Sequence, residues 1–168
     1  MTDRCCGRTI LAMSHGFVAH ATPTYRAMSS GFDPPTLRVV HVDDSALLQD
    51  RMRAYFEELG NIQIVGTAEG QSDAIAALSA REYDVALIDV ELRQGTGIPV
   101  IRHIREHPPR GESPLIIVFT SFALPAIRER CMSAGADYFL DKARDFERLS
   151  GLLRMHAQPD GRVKNAVI

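Results

Sequence analysis

Residues 115–119 read Leu-Ile-Ile-Val-Phe and residues 85–88 read Val-Ala-Leu-Ile, with no polar side chain inside either run. A strand with one face in water alternates apolar and polar residues, because successive side chains point to opposite faces. Short unbroken apolar runs therefore read as strands covered on both faces. A parallel sheet with helices above and below supplies that cover.

The flanking segments complete such a sheet. Leu37-Arg38-Val39-Val40-His41-Val42 is another β-branched run, 62–68 reads as a strand, and Tyr138-Phe139-Leu140 makes a fifth. Between them the apolar period changes from 2 to 3.6. A helix predicted to about residue 59 carries Leu47, Leu48, Met52, Tyr55, Phe56 and Leu59 on one face, with Ser45 or Asp44 as its N-cap and Gly60-Asn61 as its stop. An Ala-rich helix covers 72–80. A third, with Ile98, Val100, Ile101 and Ile104, follows the Gly95-Thr96-Gly97 turn and closes at His107-Pro108-Pro109. A fourth spans 125–133, begun by Pro125 and followed by Gly135, and the last covers 145–156 with Phe146, Leu149, Leu152 and Leu153 inward. Five strands alternating with five helices, joined by right-handed crossovers, predict an α/β fold with a doubly wound parallel sheet of order 2-1-3-4-5.

That fold accounts for 37–157. Residues 1–36 keep no period and end in Ser29-Ser30-Gly31-Phe32-Asp33-Pro34-Pro35, which reads as a flexible extension; a start at Met28 would leave the domain intact. Arg4 and Arg8 ahead of 9–18 faintly resemble an export signal, but Ser14, His15 and Gly16 interrupt its apolar core. Residues 158–168 form a short tail, so a single domain without an effector is expected. A formal charge of −2 supplies no basic field for nucleic acid or an anionic membrane. No apolar run approaches the ~18 residues of a membrane span. Three cysteines without a CxxC pair favour a reducing, cytoplasmic setting over a disulfide framework.

In an open parallel sheet, ligands bind beyond the carboxyl ends of the strands, where the winding reverses. The first strand ends in Asp43-Asp44, the third in Asp89 and the fourth in Thr120-Ser121, while the fifth reaches Lys142. Three carboxylates brought together repel one another unless one takes up a proton or a cation intervenes. Mg²⁺ suits oxygen ligands, is satisfied by one or two carboxylates and keeps room for a phosphoryl oxygen. A lysine on the side away from the metal would add a second positive charge. Each signal alone has a plain reading: an acidic pair caps a helix, Asp89 lies in a loop, Thr120 in a turn, and Lys142 on the surface. Their combination at successive strand ends is the specific feature.

This constellation resembles the receiver domain of two-component response regulators, which have a flavodoxin-like fold. The likeness runs through Val-Asp43-Asp44-Ser, Leu-Ile-Asp89-Val, Val-Phe-Thr120-Ser121 and Gly135-Ala-Asp-Tyr-Phe-Leu-Asp-Lys142, with Gly97 eight residues after Asp89. The resemblance implies that Asp89 accepts a phosphoryl group from a histidine kinase or histidine phosphotransfer protein. It implies direct coordination of Mg²⁺ by Asp44, coordination through water by Asp43, and a further ligand in the backbone carbonyl of Glu91. It also implies a switch in which Thr120 turns to the phosphoryl group and Phe139 follows. The face of the fourth helix, fifth strand and fifth helix would then meet an unidentified downstream protein or a second copy of the chain. Glu91 and Phe122 flank the site and would tune the lifetime of the phosphorylated form. Two positions depart from the pattern. Proline is common four residues after the acceptor and directly after the lysine, where this chain has Arg93 and Ala143. A cis bond before Ala143 would cost ~3 kcal/mol, so the loop after Lys142 is expected to differ.

Two other functions compete. A haloacid-dehalogenase-type aspartyl-phosphate phosphatase also uses a strand-end Asp with Mg²⁺, but it needs a second Asp two residues on, where this chain has Glu91, and a nucleophile on the first strand. A receiver-shaped binding module that is never phosphorylated would not need the full acidic, hydroxyl and lysine set. Gly95-Thr96-Gly97 lacks the third glycine of a dinucleotide fingerprint. His15 and His20 lie outside the predicted domain, Cys131 reads as packing, and His41 as a satisfied core histidine.

Overall fold

The computed structural model describes residues 36–158, so the expectations for the N-terminal extension and for nearly all of the tail lie outside the described residues. Its strands are β1 (Leu37–Val42), β2 (Ile62–Ala68), β3 (Val85–Ile88), β4 (Leu115–Thr120) and β5 (Tyr138–Asp141). The helices are α1 (Ala46–Leu59), α2 (Gln71–Ser79), α3 (Gly97–Glu106), α4 (Pro125–Ser133) and α5 (Phe146–His156). All strand pairs are parallel and the order is β2-β1-β3-β4-β5, as the sequence predicts. One extra residue, Val65, bulges β2 where its register with β1 shifts between Val39 and Val40.

Alternate residues of each strand feed two cores. Val40, Val42, Ala86, Ile88, Ile116 and Val118 pack under α2, α3 and α4, together with Leu78, Ile101, Ile104 and Cys131. Val39, Val85, Leu87, Ile117, Phe119 and Leu140 face α1 and α5, against Met52, Phe56, Leu149 and Leu153. This two-sided burial is why β3 and β4 carry no polar alternation, whereas the edge strand β2 exposes Gln63. Leu47 is a correction. It is 62% exposed, because the buried face of α1 runs through Gln49, Met52 and Phe56.

The end of the sheet where β1, β3, β4 and β5 begin is tied by two arginines that the sequence pattern does not mark. Arg38 forks onto Asp84, with Nε on Oδ2 at 3.1 Å and Nη2 on Oδ1 at 2.9 Å, and its backbone N–H donates to Asp84 Oδ2. Arg105 donates to the Gly135 carbonyl at 2.8 Å, the Pro114 carbonyl at 2.9 Å, Ser113 Oγ at 2.6 Å and Asp137 Oδ2 at 2.7 Å. Asp137 also accepts the Ile116 N–H at 2.7 Å. Gly135 has φ +111°, and a β-carbon there would press on the Arg105 side chain at 2.7 Å, so its small size serves both the turn and the clamp.

Candidate functional site

At the other end of the sheet, β1 passes directly into Asp43, whose N–H donates to the Ala68 carbonyl at 3.0 Å. Ser45 caps α1: its hydroxyl accepts the Leu48 N–H at 3.3 Å, and its own N–H donates to Asp43 Oδ1 at 3.0 Å. Gln49, buried one turn into α1, donates Nε2 to the carbonyls of Asp43 at 2.6 Å and Ala68 at 3.1 Å. Sequence reasoning missed Gln49. The available signal was a polar residue in register with Met52 and Phe56 on the inward face.

Asp89 follows β3 and donates its N–H to the Val42 carbonyl at 2.8 Å, which seats it beside Asp43. Its Oδ1 accepts the Glu91 N–H at 3.2 Å. The turn back into α3 passes so close to Asp89 that a β-carbon on Gly97 would overlap the Asp89 carbonyl and lie 2.7 Å from Ile88 Cγ2. Glycine is required there by space, since its φ lies outside the left-handed region. Thr120 ends β4 fully buried, and its Oγ1 accepts the Phe122 N–H at 3.2 Å. Lys142 hydrogen-bonds through its N–H to the Thr120 carbonyl at 3.0 Å and extends Nζ to Asp89 Oδ2 at 2.5 Å and Asp43 Oδ2 at 2.6 Å.

The predicted convergence is therefore present. One oxygen each from Asp43, Asp44 and Asp89 lies within 4.8 Å of the others, Asp44 exposed and the other two buried. Lys142 bridges two of the carboxylates, Asp43 and Asp89. Burial pushes the Asp43 carboxyl up, yet His41, Lys142 and the Ser45 N–H together outweigh it and hold Asp43 below the usual range. Burial likewise pushes the Lys142 ammonium down, and its bonds to Asp43 and Asp89 more than reverse that. Three carboxylates still face one ammonium. Asp43 Oδ2 is buried without an aligned hydrogen-bond donor, although Lys142 Nζ lies close enough to pair with its charge. A cluster of three carboxylates with one ammonium, hard oxygens short of positive charge, fits Mg²⁺.

His41 is not a fully satisfied histidine. It is 1% exposed, its Nδ1 has no partner, and its Nε2 lies 3.6 Å from Asp43 Oδ2. Phe139 is buried, with the Arg128 guanidinium 5.8 Å above its ring and Arg128 Nη1 donating to its carbonyl at 3.3 Å. Cys131 is buried in the core, and that burial raises its thiol pKa, consistent with packing.

Both departures from the proline pattern have a physical use. The Arg93 N–H donates to the Glu69 carbonyl at 2.9 Å and its side chain pairs with Glu69 Oε2 at 2.6 Å. The Ala143 N–H donates to Asp141 Oδ1 at 2.8 Å. Proline could make neither bond. The Arg93 bond, with Gln71 N–H to the Gln94 carbonyl at 2.9 Å, stitches the loop after Asp89 to the loop after β2. With alanine at position 143, Lys142 still reaches Asp43 and Asp89.

Comparison with known proteins gives a consistent result. The family model of the response regulator receiver domain matches residues 39–154. The aerobic respiration control sensor protein ArcB of Escherichia coli is 27% identical over 140 residues, which are 80% of this chain and 18% of that protein. A protein-glutamate methylesterase/protein-glutamine glutaminase of Pseudomonas fluorescens is 34% identical over 116 residues, 68% of this chain and 30% of that protein. The chain thus spans less than a third of either. Among solved structures, the receiver domain of a sensor histidine kinase from Pseudomonas aeruginosa, with magnesium coordinated in its active site cleft, superposes with TM-score 0.62 at 24% identity. That match covers 73% of this chain and 98% of the other. Among the described residues, no helix is long and apolar enough to cross a membrane.

Proposed function

Because this chain belongs to the response regulator receiver domain family, we propose that it accepts a phosphoryl group on Asp89 from the phosphohistidine of a histidine kinase or phosphotransfer protein, in the cytoplasm. A receiver of this family is a signalling phosphoacceptor domain of two-component systems. The observation that supports the finer reading is the meeting of Asp43, Asp44 and Asp89 within 4.8 Å, with Lys142 between two of them.

Asp44 and Asp43, the latter through water, would hold Mg²⁺ together with Asp89 and the Glu91 carbonyl. The chemistry that a bound Mg²⁺ would supply there is neutralisation of the charge that develops on the phosphoryl oxygens. The chain's own groups do the rest. A carboxylate oxygen of Asp89 attacks phosphorus in line, the P–N bond breaks, and the departing imidazole takes a proton from solvent. Lys142 exchanges its Asp89 contact for an oxygen of the transferred group. Thr120 gives up the Phe122 N–H and donates its hydroxyl to the same group. That change frees the loop carrying the exposed Phe122 and Leu124. Phe139 has no hydroxyl, so its answering movement is one of packing against Arg128 and α4, and it alters the α4–β5–α5 face offered to a downstream protein or a second copy.

Incubation with acetyl phosphate and Mg²⁺, followed by intact mass, tests the assignment. One phosphoryl group on the wild type and none on Asp89→Asn is the expected result. Uptake that persists in Asp89→Asn would reject it, an unmodified wild type would mark a module that is never phosphorylated, and continuous hydrolysis of a generic phosphate ester would mark a phosphatase.

A further inference from the structure

At the opposite end of the sheet from the acidic cluster, an open surface groove lies between the C-terminal turns of α2 and α3, lined in part by Ser79, Glu82, His103, His107 and Pro108. His103 and His107 are four residues apart. Their rings stack with centroids 4.6 Å apart and planes 24° from parallel. The hydrogen bonds around them decide which nitrogen of each ring carries the proton. Ser79 donates its single hydroxyl proton to the Ile75 carbonyl at 2.8 Å, so its oxygen accepts from His103 Nε2, 3.3 Å away. His103 is then protonated at Nε2 and its Nδ1 lone pair is bare. His107 Nδ1 lies 3.2 Å from the His103 carbonyl, which can only accept. His107 is therefore protonated at Nδ1, and its Nε2 lone pair is bare.

Metal-ligating histidines are held in this way. The ring N–H away from the ion is donated to a fixed oxygen, which sets the tautomer and leaves the other nitrogen free to coordinate. We propose that His103 and His107 form a second cation site, specific for a borderline transition-metal dication such as Zn²⁺, Ni²⁺ or Cu²⁺, with Ser79 as a positioning residue. Imidazole nitrogen suits these ions, whereas Mg²⁺ takes oxygen. Nitrogen ligands sit about 2.0–2.1 Å from Zn²⁺. Aiming both lone pairs at one ion takes a rotation of the exposed His107 ring out of the stack, at the cost of its bond to the His103 carbonyl, while Ser79 keeps hold of His103. Two protein ligands leave the other coordination positions to water, and the exposed position of His107 gives the ion access.

Titration of the full chain with Zn²⁺ alone, by calorimetry in excess Mg²⁺ that occupies the acidic cluster, tests the site. The expected result is one equivalent bound, lost in His103→Ala and in His107→Ala. Ser79→Ala, which removes no ligand, should weaken binding by about tenfold. Undiminished binding in the double variant His103→Ala/His107→Ala would overturn the proposal. So would a signal that vanishes in His15→Ala/His20→Ala instead. A metal-free measurement gives an independent check: ¹⁵N shifts of the imidazoles should show His103 protonated at Nε2 and His107 at Nδ1. Ser79→Ala should release His103 from that tautomer. The opposite tautomer on either ring in the wild type would also overturn the proposal.

Discussion

The two ends of the parallel sheet both carry buried or half-buried charge, and they use it in opposite ways. Where β1, β3, β4 and β5 begin, each carboxylate is matched: Asp84 by the fork of Arg38 and a backbone N–H, Asp137 by Arg105 and the Ile116 N–H. Where the same strands end, three carboxylates share one lysine, and Asp43 Oδ2 lacks an aligned donor. The matched end is a clasp. The crowded end is short of positive charge, an imbalance that a bound cation would relieve, so the unmatched end is the candidate site and the matched end reads as structure.

The largest expected effect tests the crowded end. Asp43→Asn with Asp44→Asn keeps the shape and the acceptor for the Ser45 N–H but removes two of the three charges. Mg²⁺ binding, followed by fluorescence or calorimetry, should fall beyond detection while the melting temperature holds or rises. A large loss of stability would mean that these carboxylates are part of the scaffold. At the clasp the reverse is expected. Arg105→Ala strands the Asp137 carboxylate and two carbonyls, and should cost about 2–4 kcal/mol in a denaturant melt while leaving phosphorylation by acetyl phosphate intact.

A smaller effect separates the ends by pH. Tyr83, at the clasp end beside Asp84, is buried, and burial pushes its phenol up to about 12. A raised folded pKa favours the protonated form in the folded state. Its contribution is complete below pH ~10 and is lost as pH rises toward ~12, about 3 kcal/mol at most. Tyr83→Phe should therefore flatten the stability curve in that alkaline window and leave it unchanged near neutrality; an unaltered curve would contradict the assignment. The smallest effect concerns the loop beside Asp89. Arg93→Pro removes the N–H that reaches the Glu69 carbonyl and should cost about 1 kcal/mol. Phosphoryl uptake should persist, because the bond positions a loop and touches no reacting atom.

Much of this was legible in advance. Apolar runs of four and five residues revealed the most buried strands, and the rule for strand ends then selected Asp43, Asp44, Asp89, Thr120 and Lys142 without reference to one another. Side chains that act across elements escaped detection. Arg105 and Arg38 look like any surface arginine on a helix or strand, since nothing local tells that Gly135 and Asp84 will meet them. Gln49 was hidden by its polarity inside an amphipathic face, and His41 was read as satisfied although half of its ring has no partner. Ser79, His103 and His107 also come from two helices whose contact only folding creates.

The amino-acid order alone determined which segments are strands and helices, which strand faces are buried, and which chemical groups stand at the strand ends, because those properties follow from periodicity and backbone preference over a few residues. Only the tertiary structure decided how charges are shared: that Lys142 bridges Asp43 and Asp89, and that one end of the sheet is neutralised while the other is not. Electrostatic energy depends on distances between groups far apart in the chain and on the water excluded from between them, and neither quantity exists until the sheet has closed.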